Sequence, residues 1–201
     1  MILQVENIQK AFGSKHVLNG ISIAIHQGML IGIVGENGAG KSTLVKILVG
    51  LWKADSGRLS INCKTGYCPQ LPLVFQHLSV MENFRYFASA YKLCTHKGDK
   101  QPYYEQLMKL FRFDEYKNQL VMNLSGGTIQ KLNLAIALMH QPDLLILDEP
   151  YNGFDWDTYL CFWEYIKHFR EEGGSILLVT HLLTDTSVFD QVYNIKKGVL
   201  E

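Results

Sequence analysis

Three short stretches of this chain could do chemistry together. The first, Gly35-Glu36-Asn37-Gly38-Ala39-Gly40-Lys41-Ser42, fits the spacing G-x-x-x-x-G-K-S/T. Glycines at this spacing let successive backbone N–H groups point inward at phosphate oxygens, and the following helix adds the positive end of its dipole. Lys41 would reach the β- and γ-phosphates, and Ser42 would ligate Mg²⁺. The second stretch is Leu144-Leu145-Ile146-Leu147-Asp148-Glu149. Four apolar residues predict a buried strand whose carboxyl end presents the two acids. Asp148 there can hold the metal through its hydration shell. Glu149 can accept a hydrogen bond from an attacking water and act as general base. An acidic pair after a strand is by itself often only a solvated strand end. Beside a lysine–serine phosphate loop it becomes the complement of a nucleoside triphosphate. The third stretch, Leu124-Ser125-Gly126-Gly127, opens a second helix on a second glycine turn. Ser125 is a competent helix cap, and capping is compatible with contacting a phosphate. One bound phosphate chain does not need two such cradles from one chain.

The elements needed to hold these residues can be read around them. Met1–Val5 and Ile21–Ile25 suggest strands, and Met29 to Val34 is a continuous apolar run that suits a buried parallel strand. Thr43 to Leu51 has helical spacing, with Leu44, Ile47, Leu48 and Leu51 on one side. A turn at Asp55-Ser56-Gly57 precedes a short strand, Arg58–Ile61. From about 78 to 140 the pattern turns helical. Ser79-Val80-Met81-Glu82 is a capping-box start, Pro102 opens another helix, and Thr95–Lys100 is a polar linker. The α/β pattern then resumes, with Leu144–Leu147, a helix over Thr158–Arg170, a strand over Ser175–Thr180 and a hairpin over Gln191–Glu201. The expected division is a core of residues 1–70 and 141–201, interrupted by a helical subdomain at 71–140.

Composition narrows the function classes. Lys+Arg and Asp+Glu both number 19, so the formal net charge is zero, which disfavours a surface built for nucleic acid. The four cysteines, Cys63, Cys68, Cys94 and Cys161, lack metal-ligand spacing and read as reduced, small apolar residues. The opening MILQVENIQK has no signal-peptide layout, and no apolar run approaches the ~20 residues of a membrane helix. A cytoplasmic chain is expected, its link to any membrane made through a partner.

The order GENGAGKST, LSGGTIQK and LLILDEP resembles the ATP-binding cassette (ABC) ATPases over nearly the whole chain. The resemblance implies an α/β fold: a P-loop NTPase core with a mostly parallel sheet, an N-terminal antiparallel β subdomain and an inserted α-helical subdomain. It implies ATP and Mg²⁺ as ligands, with Gly35, Asn37, Gly38, Ala39, Gly40, Lys41, Ser42 and Thr43 at the phosphates. It also answers the puzzle of the second cradle. In the family two cassettes pair head to tail, so Ser125, Gly126 and Gly127 would close on the γ-phosphate held by a second copy or a near-copy. Residue by residue, Phe12 matches the aromatic that stacks on adenine. Gln70 matches the glutamine that reaches Mg²⁺ and the attacking water. His181 matches the histidine that contacts the γ-phosphate and orients Glu149. Asp155 matches the acid of the loop that crosses the dimer interface near the partner's site.

Two departures stand out: Thr128 follows LSGG where the family usually has Gln, and Tyr151-Asn152-Gly153-Phe154-Asp155 replaces Thr-Ser-Gly-Leu-Asp. Neither removes a phosphate or metal ligand. The implied protein is an ATP-hydrolysing subunit of a transporter, peripheral on the inner face of the cell membrane through an integral membrane permease, and resembling bacterial export systems. Leu71, Leu73, Val74, Phe75, Phe84, Tyr86 and Phe87 are the candidates to line a groove for that permease, with Leu73 and Phe75 the best exposed of them. A non-transport ABC ATPase acting on ribosomes or chromosomes is the alternative; the single cassette, the lack of sustained heptads and the zero net charge argue against it. A regulatory subunit with little catalysis is disfavoured by the presence of Lys41, Asp148, Glu149 and His181.

Overall fold

The computed structural model describes residues 1–93, 102–180 and 186–201. They form two compact units. One comprises Met1–Tyr67, Pro142–Glu149 and Phe169–Glu201; the other comprises Cys68–Gln141 and Pro150–His168. The second unit thus takes in residues 150–168, which the sequence alone places with the core.

In the first unit, β1 (Leu3–Phe12) pairs antiparallel with β2 (Lys15–Ile25) and with β4 (Ser56–Ile61), in the order β2-β1-β4. Both leading strands run well past the apolar alternation that marks them in sequence. Their shared tip, where Phe12 pairs with Lys15 across Gly13-Ser14, is solvent-exposed. A hairpin tip that buries nothing needs no apolar face, so its residues give no strand signal.

The larger sheet has the order β5-β6-β7-β3-β8-β9, with β5 at Thr65–Cys68, β6 at Leu144–Asp148, β7 at Ser175–Val179 and β3 at Leu30–Val34. β8 (Gln191–Lys196) and β9 (Val199–Leu200) form the antiparallel terminal pair. β6, β7, β3 and β8 are parallel neighbours. Every residue of β6 and β7 is buried, which is why these strands read as unbroken apolar runs. The core draws on both sheets, on Leu44, Val45 and Leu48 of α1 (Lys41–Leu48), and on Ile195. Each such side chain contributes roughly 1.5–3 kcal/mol by leaving water.

The second unit holds α2 (Val80–Ala90), α3 (Tyr103–Leu110), α4 (Gly126–Leu138) and most of α5 (Trp156–Glu171). The capping box is present: the Ser79 Oγ accepts the Glu82 N–H at 3.2 Å and the Glu82 carboxylate accepts the Ser79 N–H at 2.8 Å. From Gln130 to Leu138, α4 is buried on every side. Phe84 is fully buried and stacks on Tyr104 at 4.9 Å, so it belongs to this unit's core and not to an exposed groove. Leu71, Leu73, Phe75 and Tyr86 are exposed, whereas Val74 and Phe87 are half-buried.

Two buried asparagines that read as ordinary polar helix positions fix the loop carrying these residues. The Asn83 Oδ1 accepts the Phe75 N–H at 2.8 Å, and its Nδ2 donates to the carbonyls of Phe75 and Ser79, both at 3.0 Å. Asn133 Nδ2 donates to the Pro69 carbonyl at 2.9 Å, and its Oδ1 accepts the Leu73 N–H at 3.3 Å. Asn83→Ala leaves the Phe75 N–H without its acceptor and removes a second donor from carbonyls that keep a backbone partner. It is expected to cost about 2–3 kcal/mol in thermal or denaturant unfolding, because an unmade buried hydrogen bond costs the desolvation of the group left behind. A loss below roughly 0.5 kcal/mol, the range of an ordinary surface change, would contradict this account.

Candidate active site

The parallel strands bring the chemistry to one edge of the first unit. Asp148 pairs in register with Val179, and Val179 with Ile33, so the carboxyl ends of β6, β7 and β3 lie side by side. That edge is where open α/β sheets bind ligands. It presents the loop after Val34 and the acids after Leu147 two strand spacings apart, about 10 Å.

The loop is built for close approach by a ligand. Gly40 sits at φ 112°, and a Cβ there would come within 2.8 Å of Leu18 and 3.0 Å of the Val17 carbonyl. Lys41 is buried, and its ammonium donates to the carbonyls of Gly35 at 2.6 Å and Glu36 at 3.0 Å. The cation is thereby held inside the curl of the loop that Gly35, Asn37, Gly38 and Ala39 form. Ser42, in the first turn of α1, hydrogen-bonds the Asp148 carboxylate. Both are hard oxygen donors, the kind a Mg²⁺ ion takes while phosphate oxygens and waters fill its other positions.

Asp148 is 4% exposed. Burial, reinforced by the Glu149 charge, pushes its carboxyl up to about 6, against the opposing pull of Ser42, Lys41 and Lys46. A carboxyl whose folded pKa lies above its unfolded value favours the fold below the unfolded pKa. That contribution is lost as pH rises through about 6. In metal-free protein Asp148→Asn is therefore expected to raise stability at pH 8 by roughly 1–3 kcal/mol, and to change it little near pH 4. Thermal unfolding in a chelator at both pH values checks this; an equal difference at both would sink it.

Glu149 follows at φ 49°, a left-handed conformation that costs a non-glycine residue of order 1 kcal/mol or more. Its N–H donates to the Val179 carbonyl at 2.9 Å, which ties the strained residue to β7. Phe12, at the end of β1, is 46% exposed and is not a buried strand-end aromatic. It meets Trp52 edge-on, with centroids 5.2 Å apart.

The second unit holds the other cradle. Ser125 caps α4, its Oγ accepting the Thr128 N–H at 3.2 Å and lying 2.9 Å from the Thr128 hydroxyl. The threonine that replaces the family's usual glutamine therefore lies in the cap itself. A Cβ on Gly127 would strike the Gly153 carbonyl at 2.4 Å, whereas one on Gly126 would meet nothing within 4 Å. A cavity of about 430 Å³ opens beside these glycines, lined by Gln70, Gln76, Gln130, Asn152 and Gly153 among others. Gln130 is buried, and its Nε2 has no hydrogen-bond partner among the described residues. Asp155 caps α5: its carboxylate accepts the Thr158 N–H at 2.8 Å and the Thr158 hydroxyl at 2.9 Å, and lies 3.3 Å from the Lys131 ammonium. The Thr158 backbone bond, then the Thr158 hydroxyl and Lys131, hold its carboxyl well below the usual range, at about 2. A sequence signal for this cap existed: an aspartate three residues before a threonine at a helix start.

The structure thus brings Gly35, Lys41, Ser42, Asp148 and Glu149 to one sheet edge, and Gln70, Ser125, Gly126 and Gly127 around one α4 terminus. His181 and the polar linker at 95–100 lie outside the described residues. Among the described residues no helix is long and apolar enough to cross a membrane, and Cys63, Cys68 and Cys161 form no disulfide.

The sequence model described as "ABC transporter" matches residues 18–152. An ABC transporter ATP-binding protein of Methanocaldococcus jannaschii is 34% identical over 98% of this chain and 74% of its own length. A Nod factor export ATP-binding protein of Cupriavidus pinatubonensis is 32% identical over 92% of this chain and 60% of its own. A solved structure of the ATP-binding subunit of an ABC transporter superposes with a TM-score of 0.89 at 27% identity, covering 100% of this chain and 88% of that one.

Proposed function

Because the chain belongs to the ABC transporter family and is an ATP-binding ATPase, we propose that it powers a separate membrane-spanning permease, in the direction of export. ATP binds with its phosphates on the loop from Gly35 to Thr43 and its base against Phe12. Lys41 neutralises charge on the β- and γ-phosphates. Ser42, Asp148 and Gln70 would hold Mg²⁺, which when bound would polarise the γ-phosphoryl group and offset the charge developing on it. Glu149 takes the proton of the attacking water, and His181, by the family resemblance, would orient Glu149 and contact the γ-phosphate.

A second copy, or a near-copy, covers the nucleotide with Ser125, Gly126 and Gly127, its Asp155 near the interface. Binding fastens the pair and hydrolysis releases it, and the permease turns that cycle into movement of cargo. The single observation that carries this reading is Gly126. It opens a capped helix where an added Cβ would meet nothing within 4 Å among the described residues, which is what a cradle for another molecule's phosphate requires. Export is supported by the name of the Nod factor relative. No nucleic acid takes part, in keeping with the zero net charge.

The test is recovery of the tagged chain from detergent-solubilised membranes of its own host. A polytopic membrane protein is expected to copurify, and efflux of its cargo is expected to depend on Glu149. Recovery on ribosomes or chromosomes, or only free of membrane, would overturn the proposal.

A further inference from the structure

Phe12 stands on an exposed hairpin tip, where a phenylalanine would ordinarily sample several rotamers. Two side chains restrain it here. The Lys10 ammonium lies 5.5 Å from the centre of its ring. Lys10 is itself pinned by Asp55 at 2.6 Å, and the same carboxylate accepts the Ala11 N–H at 2.7 Å. Trp52 makes the edge contact, with the two ring planes 67° apart.

Trp52 is in turn fixed from two directions. Its backbone N–H donates to the Lys46 carbonyl at 3.0 Å in the turn that ends α1, and the Lys46 ammonium lies 4.4 Å from the centre of its ring. Trp52 stays 38% exposed. The helix that begins at Lys41 and Ser42 therefore ends at the support of Phe12. Its eight residues span about 12 Å, so one rigid element sets both the phosphate loop and the aromatic platform.

We infer that Trp52 is a positioning residue for the nucleobase: with the Lys10–Asp55 pair it fixes the plane of Phe12 before the nucleotide arrives. The inference rests on the reading that Phe12 carries the base. A platform ordered in advance lowers the entropy lost on binding, and aromatic edge contacts have the directionality to supply that order. Trp52 acts on affinity for the base and leaves the phosphate chemistry to Lys41, Ser42 and Glu149.

Calorimetry of the full chain with ADP, and with inorganic tripolyphosphate as a probe lacking the base, tests this. Trp52→Ala is expected to weaken ADP roughly three- to tenfold and to raise the KM for ATP by the same factor, with kcat and tripolyphosphate affinity within about twofold. Trp52→Phe should restore ADP affinity to within about twofold. Lys10→Met, which removes the cation from the Phe12 ring, should weaken ADP roughly two- to threefold. In a Phe12→Ala background, Trp52→Ala should add less than about twofold, because its effect passes through Phe12. The inference is overturned if Trp52→Ala leaves ADP binding unchanged, weakens tripolyphosphate equally, or multiplies fully with Phe12→Ala. If Phe12→Ala itself leaves ADP affinity unchanged, the base-platform reading falls, and this inference with it.

Discussion

Glu149→Gln is expected to lower ATP turnover by about 10²–10⁴-fold, the range a positioned general base contributes, while nucleotide affinity is kept or improved. The backbone argues that this side chain is aimed. Glu149 is 7% exposed, holds a left-handed φ of 49°, and is clamped to the Val179 carbonyl through its own N–H. Strain of that kind persists only where surrounding structure enforces it. The amide has the same shape and can still hydrogen-bond a water, so the site should stay folded, but it cannot accept the proton. It also removes one negative charge beside Asp148, whose carboxyl the Glu149 charge pushes up. Mg²⁺ and ATP should therefore be held at least as well. If, as proposed, ATP fastens two copies and hydrolysis parts them, the variant should accumulate as a pair. Solution scattering at saturating MgATP should give twice the monomer mass for Glu149→Gln and close to one for wild type under turnover. Survival of full ATPase activity would remove Glu149 as the base. A strictly monomeric variant, with the permease shown to be unnecessary for pairing, would remove the nucleotide as the fastening.

The parts of this chain legible in sequence are those whose signal is contiguous. The loop from Gly35 to Ser42 is a backbone device written in adjacent residues, and β3, β6 and β7 are buried on both faces, so their apolar runs have no competing reading. What stayed hidden depends on partners far along the chain. Asn83 and Asn133 occupy polar positions that pattern assigns to solvent, yet each is buried because a loop carbonyl and N–H arrive to satisfy it. Trp52 reads as a stray aromatic after a helix until the β1 tip is brought to it. β5 gives four residues of mixed character, too few for a period. Residues 150–168 follow a core strand in sequence, but their aromatic side chains contact one another, as Tyr151 does with Tyr159 and Phe162, and the segment clusters with the second unit. Phe84 shows the limit from the other side, since its helix spacing is plain while only the Tyr104 stack reveals which face is inside.

Gly126→Asp separates the fold of α4 from its use. Gly126 is the first residue of the helix, and a Cβ there meets nothing within 4 Å, so the monomer has room for a side chain. An aspartate in the first turn of a helix is favourable by roughly 0.3–1 kcal/mol through the helix dipole, and α4 has no acid in that turn. The melting temperature of the isolated chain should accordingly hold or rise slightly. ATP bound on a second copy would then meet a carboxylate where it needs an N–H donor. Two unit charges 4 Å apart at an effective dielectric near 20 repel by about 4 kcal/mol, roughly three orders of magnitude in affinity. In the Glu149→Gln background, MgATP should still bind each monomer with unchanged affinity, but pairing should weaken by about 10²–10³-fold. Gly127→Ala is the informative contrast. Its Cβ would strike the Gly153 carbonyl at 2.4 Å, so that variant should lose stability in the monomer before pairing is even tested. Normal pairing by Gly126→Asp would mean that the open helix terminus meets no phosphate, and the second cradle would then be a cap and nothing more.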